Sequence, residues 1–477
     1  MRYTALAVDF DGTIAHDGVV PPHVLDGLAR LRDTGRKLLL VTGRELEELL
    51  SIFPGISVFD RLVAENGALL YRPSSGEREE LGDPAPPELI DLLRARGVPI
   101  SVGHSIVATV EPHETVVLAS IKELGLERQV IFNKGAVMIL PAGVNKASGL
   151  AHALKELALS PRNLVAAGDG ENDHALLDSA EYSVATANAI PTLREKADRV
   201  TKQTHGDGVL EVVADLIESD LAAAPPKRER RCLQLGRDAH GEPFALPASG
   251  VSLVVAGRNA TGKAEMVAGI IGRICTLGYQ FCVLDTRGGY LGLTPAVVLG
   301  GADHPPETME VLTALEKPEI NAVVALGSLS PARRVAFIAD LLRRLAALQG
   351  KTGRPHWIIV DDAVEAHAAA SLEKQAALPP ADNMIHVSAE AAHLPAGLLA
   401  AATAILVTGS GTAAELEAIA RAMGEAAPPE PLRDPRAGEA IAWSHRSRAA
   451  PALLSLPSVD RAKDRERADV GRLLRRA

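Results

Sequence analysis

The chain reads as an α/β protein with two successive parallel sheets: a Rossmann-like core interrupted by a small α+β insertion, then a second α/β unit. Three observations predict this. Short apolar β-type runs alternate with amphipathic stretches before residue 220 and again after 235, the rhythm of βαβ units. Acidic motifs stand where several runs end, and a parallel sheet presents its chemistry at those carboxyl ends. At 477 residues, the chain exceeds what one hydrophobic core ordinarily serves.

In order, the first strands are expected at Thr4–Asp9, Lys37–Thr42 and Leu62–Ala64, with a helix from Pro22 to Thr34 closed by Gly35. Proline at a helix start and glycine past its end fit the asymmetry of helix caps. From Tyr71 to Pro141 the rhythm breaks. A Pro/Gly/Ser-rich passage leads to a helix (Pro87–Ala95), a strand (Ser105–Glu111), a helix (His113–Leu124) and two short strands around Val130–Leu140. The core resumes with strands at Asn163–Gly168 and Tyr182–Ala185. Expected boundaries are therefore 1–70 and 142–220 for the core and 71–141 for the insertion. Residues 221–234, small, proline-containing and charged, have linker composition. Six more β-type runs follow in a unit at 235–425: Val251–Ala256, Gln280–Asp285, Asn321–Leu326, His356–Asp361, Met384–Ser388 and Thr403–Thr408. Residues 426–477 form a C-terminal extension.

Composition narrows the function. Hydrophobic residues make up 47% and charged ones 23%, a globular balance rather than a disordered one. The net charge of −10 gives no global attraction to nucleic acid or anionic membrane. Aromatics at 3% leave few platforms on which to stack bases. The last seventeen residues carry seven Arg/Lys against three Asp/Glu, read as a solvated helix rather than a nucleic-acid arm. Cys232, Cys275 and Cys282 are too sparse for a zinc knuckle and suit a reducing cytoplasm. The N-terminus runs straight into a strand, and no apolar run approaches the ~20 residues of a spanning helix. A cytoplasmic protein without a membrane segment is expected.

Four motifs converge on phosphate chemistry: Asp9-Phe10-Asp11-Gly12-Thr13, Thr42-Gly43-Arg44, Lys146, and Gly168-Asp169-Gly170-Glu171-Asn172-Asp173. Two carboxylates two residues apart beyond a strand can divide the labour. Asp9 can attack phosphorus while Asp11 donates a proton to the leaving oxygen. Asp169 and Asp173 complete a hard, oxygen-rich Mg²⁺ site. Thr42 and Lys146 can hydrogen-bond and neutralise the transferring group.

This order and spacing resemble the haloacid dehalogenase superfamily of phosphohydrolases over roughly residues 1–215. The insertion stands where that superfamily carries a C2-type cap, and Glu65-Asn66-Gly67-Ala68 before it and Leu140–Lys146 after it look like subclass IIB. The resemblance implies an aspartyl-phosphate at Asp9, with Asp11 as general acid and then base. It implies Mg²⁺ held by Asp9, the backbone carbonyl of Asp11 and Asp169, with Asp173 binding the metal or orienting its waters. Asn172 would fix its loop by an Asx-type bond. Arg44, beside Gly43, could reach substrate phosphate or pair with a local acid. His16, His104 and His113 are candidate cap or entrance residues. The substrate expected is a small phosphorylated metabolite, a sugar phosphate or a phosphoglycolate-like acid.

In the second unit, Gly257-Arg258-Asn259-Ala260-Thr261-Gly262-Lys263-Ala264 follows an apolar strand and opens a helix, the context of a phosphate-binding P-loop. Trp357–Val360 then ends in Asp361-Asp362, which reads as a Walker B strand with Asp361 in the metal-contacting place. The unit resembles helicase-type DNA-translocating P-loop ATPases. Ala264 lacks the hydroxyl that pattern offers Mg²⁺, and Asp362 is one methylene shorter than the usual glutamate. The expectation is a nucleotide site, for ATP or another nucleotide, at Gly257, Thr261, Gly262, Lys263 and Asp361, with impaired hydrolysis. The alternative is a P-loop ATPase or nucleic-acid translocase carrying an auxiliary phosphatase.

Overall fold

The computed structural model describes residues 1–226, 231–258, 261–372, 382–428, 433–444, 446 and 450–456, with side chains described only to His367 in the helix Ala363–Leu372. The expected linker core at 227–230, Asn259, Ala260 and the basic tail at 461–477 lie outside these residues. The chain divides into two compact units, Met1–Arg228 and Glu229–Ala477.

In the first unit one eight-stranded sheet runs Arg199–Val200, Tyr182–Ala185, Leu164–Gly168, Ala5–Val8, Lys37–Val41, Arg61–Ala64, Leu69–Arg72 and Glu77–Glu80. The first six strands are parallel and the last two turn back antiparallel. Ala5–Val8 and Leu164–Gly168, at the sheet's centre, are buried along their whole length. This is why they read as continuous apolar runs rather than alternating ones. The helices Pro22–Asp33 and His205–Ser219 pack Val24, Leu28 and Leu31, and Val209, Val212 and Leu216, into one face of that core.

The insertion has its own antiparallel sheet, ordered Ser101–Val102, Val107–Val110, Ala136–Pro141 and Arg128–Asn133. Helices Pro87–Ala95 and Glu114–Glu123 cover it through Leu89, Leu93, Val117 and Ile121. Its start is a correction to the sequence reading. Residues 71–80 belong to the hairpin Leu69–Arg72/Glu77–Glu80 of the main sheet, so the insertion begins after Leu81 rather than at Tyr71. The hairpin was missed because Glu77–Glu80 is exposed throughout and carries no apolar alternation.

The second unit holds an eleven-stranded sheet: Pro243–Pro247, Cys232–Arg237, Ala452–Ser455, Glu439–Trp443, Ala404–Val407, Ser252–Ala256, Met384–Ser388, Trp357–Val360, Phe281–Asp285, Ala322–Ala325 and Val297–Leu299. All six runs read from the sequence are parallel strands at its centre. The edges correct the expected boundaries. Leu221 is buried on the first core and Cys232 already opens a strand, so 221–234 is not linker throughout. Antiparallel strands at Glu439–Trp443 and Ala452–Ser455 carry the unit past 425. No described helix is long and apolar enough to cross a membrane.

Candidate active site

The central strands of the first sheet end side by side, and each delivers a carboxylate at its carboxyl end. Asp9 follows Ala5–Val8, and Asp169 follows Leu164–Gly168, the strand paired with it in parallel register. Asp173 ends the short 3-10 turn Glu171–Asp173. One oxygen from each of the three lies within 4.8 Å of the others, and all three residues are buried. Gly12, at φ 85°, keeps the turn after Asp9 close: a Cβ there would fall 2.2 Å from Asp169 Oδ2. A left-handed φ and that clearance both require glycine.

Lys146 faces this cluster. It is the first residue of the helix Lys146–Glu156, whose start is fixed by a capping box. Asn145 Oδ1 accepts from the amides of Ala147 (2.9 Å) and Ser148 (3.1 Å), and Ser148 Oγ accepts from Asn145 N at 2.9 Å. So aimed, Lys146 Nζ donates to Asp9 Oδ1 and Asp173 Oδ1, each at 2.6 Å, with its side chain buried. Burial opposes its charge, but Asp173 and Asp9 outweigh burial and push its pKa up. Burial, then the neighbouring Asp173, pushes Asp9 up to about 8, and burial also raises Asp169.

Burial and the crowding of like charges thus favour the protonated forms of Asp9 and Asp169 where protein groups are the sole neighbours. A hard, all-oxygen donor set of this kind fits a divalent cation, which would restore their ionised forms. Asp9, Asp169 and Asp173 are the residues whose side chains could hold one. Asp11 is not among them, since its carboxylate turns to Arg44.

Of the two uses open to Arg44, the structure shows the pairing with local acids, Asp11 and Glu48. Thr42 is buried at the end of Lys37–Val41, and its hydroxyl accepts from Arg44 N at 3.1 Å. Gly43 adjoins Asn172: a Cβ on it would stand 3.5 Å from Asn172 Nδ2. The expected Asx-type role of Asn172 is corrected. Asp173 ties the loop, its Oδ2 accepting from the amides of Asp169 and Gly170, both at 2.9 Å. Asn172 instead donates to Asn66 Oδ1 at 3.1 Å. The His16 ring lies 4.4 Å from that of His205, tilted by 48°, His104 stands beside Glu80, and His113 precedes the insertion's helix Glu114–Glu123.

Four residues that sequence reasoning left unassigned also enter the site. Thr13 Oγ1 lies 3.3 Å from both Asp9 Oδ2 and Asp169 Oδ1. Asn188 donates to Gly12 O at 2.8 Å and Asp169 Oδ2 at 3.1 Å. Lys134, from the insertion, pairs with Asp169. Glu65 accepts from the amides of His104, Ser105 and Ile106, tying the insertion to the core. Thr13 ends a motif already in view. Glu65 opens another such motif, whereas Asn188 and Lys134 are single polar residues that only the fold brings in.

In the second unit Gly257 ends Ser252–Ala256, and Gly262, at φ 80°, leads into the helix Lys263–Thr276. Thr261 Oγ1 lies 2.9 Å from Thr408 Oγ1 and 2.9 Å from Arg258 O. Asp361 follows Trp357–Val360 and accepts from Thr286 Oγ1 at 2.9 Å, while Arg287 holds Asp362 at 2.7 Å. Arg258, Gly262, Lys263, Arg287, Asp361 and Asp362 are among the residues lining a cleft of about 230 Å³. Burial lowers the pKa of Lys263 and raises that of Asp361. The loop glycine and lysine are thus brought to Asp361, whereas Thr261 turns to Thr408.

A parallel sheet with paired acidic loops at the carboxyl ends of adjacent central strands, a buried lysine and an inserted α+β module defines the class. Residues 6–104 and 112–213 match the haloacid dehalogenase-like hydrolase family. The chain belongs to that family, through its first unit. It is 31% identical over 220 residues to a phosphoglycolate phosphatase of Haloarcula marismortui, covering 44% of this chain and 95% of the relative. To a phosphoglycolate phosphatase of Methanothermobacter thermautotrophicus it is 32% identical over 219 residues, covering 44% and 96%. A haloacid dehalogenase-like hydrolase from Bacteroides thetaiotaomicron superposes with a TM-score of 0.40 at 19% identity, covering 45% of this chain and 99% of that one.

Proposed function

We propose that the first unit is a Mg²⁺-dependent phosphatase that hydrolyses a small phosphomonoester, a sugar phosphate or a phosphoglycolate-like acid, through an aspartyl-phosphate at Asp9. The convergence of Asp9, Asp169, Asp173 and Lys146 on one buried point carries this reading. The names of the two archaeal relatives favour the phosphoglycolate-like substrate. A bound Mg²⁺ would supply positive charge to the carboxylates and to the phosphoryl oxygens. Asp9 attacks phosphorus and the ester oxygen leaves with the bonding pair, so Asp9 carries the phosphoryl group. Asp11 gives its proton to the leaving oxygen, then takes one from the water that releases phosphate. Lys146 holds Asp9 in place, and Thr42 and Asn172 line the approach with hydrogen-bonding groups. Release of phosphate from 2-phosphoglycolate and small sugar phosphates, with and without Mg²⁺, tests this. Turnover that needs the cation and disappears in Asp9→Asn is expected. An active Asp9→Asn variant would remove the covalent route.

The second unit is proposed to bind a nucleoside triphosphate without efficient hydrolysis. Its support is the cleft where the start of Lys263–Thr276, with Lys263, meets Arg258, Arg287 and Asp361. A helix start with basic side chains suits phosphate. Ala264 has no hydroxyl to offer a cation, and Asp362 is engaged by Arg287. Calorimetry with ATP on the Asp9→Asn protein, beside its Lys263→Ala derivative, tests the site. Heat lost with Lys263 is expected. Equal heats, or none, would leave the loop as architecture, and brisk ATP hydrolysis would favour a motor over a binding module.

A further inference from the structure

The hairpin Arg128–Asn133/Ala136–Pro141 of the insertion reaches the active site with its tip, Lys134-Gly135. Both tip residues have left-handed φ, 49° and 85°. Glycine adopts this freely and is common in tight hairpin turns, whereas a lysine there is under backbone strain. That strained residue carries the charge. Lys134 pairs with Asp169 Oδ2 while its amide donates to Glu171 Oε2 at 3.1 Å, so the tip is fastened to the Gly168–Asp173 loop. A Cβ on Gly12 would stand 2.6 Å from Lys134 Nζ, which places the ammonium directly over Gly12.

That position separates the two lysines. Lys146 is buried beneath Asp9 and Asp173, both of which it holds. Lys134 is 43% exposed and stands over the residue that follows Asp11. In an in-line displacement the leaving oxygen lies opposite the attacking Asp9, where the proton donor Asp11 must reach it. A charge beside Gly12 stands on the turn that carries that donor, one residue away from it. His205, its ring 4.4 Å from that of His16, donates its amide to Asn188 Oδ1, and Asn188 donates to the same Asp169 Oδ2 that Lys134 holds, so two histidines lie near this mouth. A neutral alcohol leaving there has no use for an ammonium. A carboxylate does.

We propose that Lys134 is the specificity-determining residue of the phosphatase. It pairs with a carboxylate on the leaving group and makes the site one for small phosphorylated acids over neutral phosphomonoesters. This rests on the hydrolase reading above. The test compares kcat/KM for 2-phosphoglycolate with kcat/KM for ethyl phosphate, in the full chain with Mg²⁺, for wild type, Lys134→Met and Lys134→Arg. A charge-assisted bond of ordinary strength predicts that the ratio falls about tenfold to hundredfold in Lys134→Met. It should fall less in Lys134→Arg, which keeps the charge. The same ratio in all three proteins would overturn the proposal. Binding is measured in parallel by calorimetry in the Asp9→Asn background. There, 2-phosphoglycolate should lose affinity on Lys134→Met by more than ethyl phosphate does, and equal losses would again overturn it. If wild type hydrolyses neither ester and no small sugar phosphate, the hydrolase reading fails, and the binding comparison still decides the role of Lys134.

Discussion

The guanidinium of Arg44 spans both carboxylate oxygens of Asp11, Nε to Oδ2 at 2.7 Å and Nη2 to Oδ1 at 2.8 Å. The same arginine lies over the Phe10 ring at 5.7 Å and holds Glu48. One side chain thus locks the Asp9–Thr13 turn to the Thr42-Gly43-Arg44 turn. Both Asp11 oxygens accept in this clamp, so the carboxyl leaves Arg44 before it carries a proton to a leaving oxygen, and the clamp fixes where that movement starts.

Arg44→Lys is therefore expected to lower kcat by about tenfold or more, because an ammonium cannot reproduce a planar two-point clamp. Asp11→Asn should lower kcat further, by roughly 10²–10⁴, the usual size of a general acid–base contribution. Steady-state kinetics with a small phosphomonoester checks both. Wild-type kcat in the Arg44→Lys variant would show that the clamp is incidental to turnover.

Lys146 balances Asp9 and Asp173 in a buried site. Lys146→Met leaves two carboxylates facing each other without their cation. Breaking a buried ion pair from one side costs about 3–5 kcal/mol. Urea denaturation of the metal-free protein above about pH 8, where Asp9 is ionised, should show a loss of that order, partly recovered on adding Mg²⁺. A loss below about 1 kcal/mol would mean that the carboxylates already share protons between them.

The catalytic motifs were legible because they sit at strand ends, where a single acidic residue interrupts a fully buried run, as Asp9 does after Ala5–Val8. The six central strands of the second unit were legible as short, almost wholly buried apolar runs. The exposed strand Glu77–Glu80 and the antiparallel edge strands had no such signal. Neither did Lys134, whose role depends on a hairpin folding back over Gly12. Local pattern shows what is buried, but not which distant turn will be brought to a given carboxylate. Arg44 shows the same limit: sequence left two partners open, and packing against Asp11 chose between them.

Glu65 predicts how the cap is held. It is buried, has a left-handed φ of 49°, and accepts the amides of His104, Ser105 and Ile106 at 3.0, 2.9 and 3.2 Å. Glu65→Ala strands these donors, and leaving a buried donor unsatisfied costs about 1–3 kcal/mol. Hydrogen exchange should accelerate at 104–106 while the strand Leu164–Gly168 stays protected. Unchanged exchange at 104–106 would mean that the cap is anchored elsewhere, at the Lys134 tip for instance.

The raised pKa of Asp9 makes stability depend on pH in a direction that the cation should reverse. Burial and Asp173 push it up to about 8 in the folded, metal-free protein, against about 4 in an unfolded chain. The folded state therefore holds the proton more tightly than the unfolded state. Its stabilising contribution is full below about pH 4 and is lost as pH rises through 8. Metal-free protein should melt at a lower temperature at pH 8.5 than at pH 6, and Asp9→Asn, which cannot titrate there, should show a flatter dependence. A divalent cation competes with that proton, so Mg²⁺ should raise the melting temperature more at pH 8.5 than at pH 6. Each kcal/mol corresponds to roughly 2–4 °C for a domain of this size. Thermal melts at the two pH values, with saturating Mg²⁺ or with chelator, read both slopes. Equal Mg²⁺ shifts at both pH values would show that cation and proton do not share Asp9.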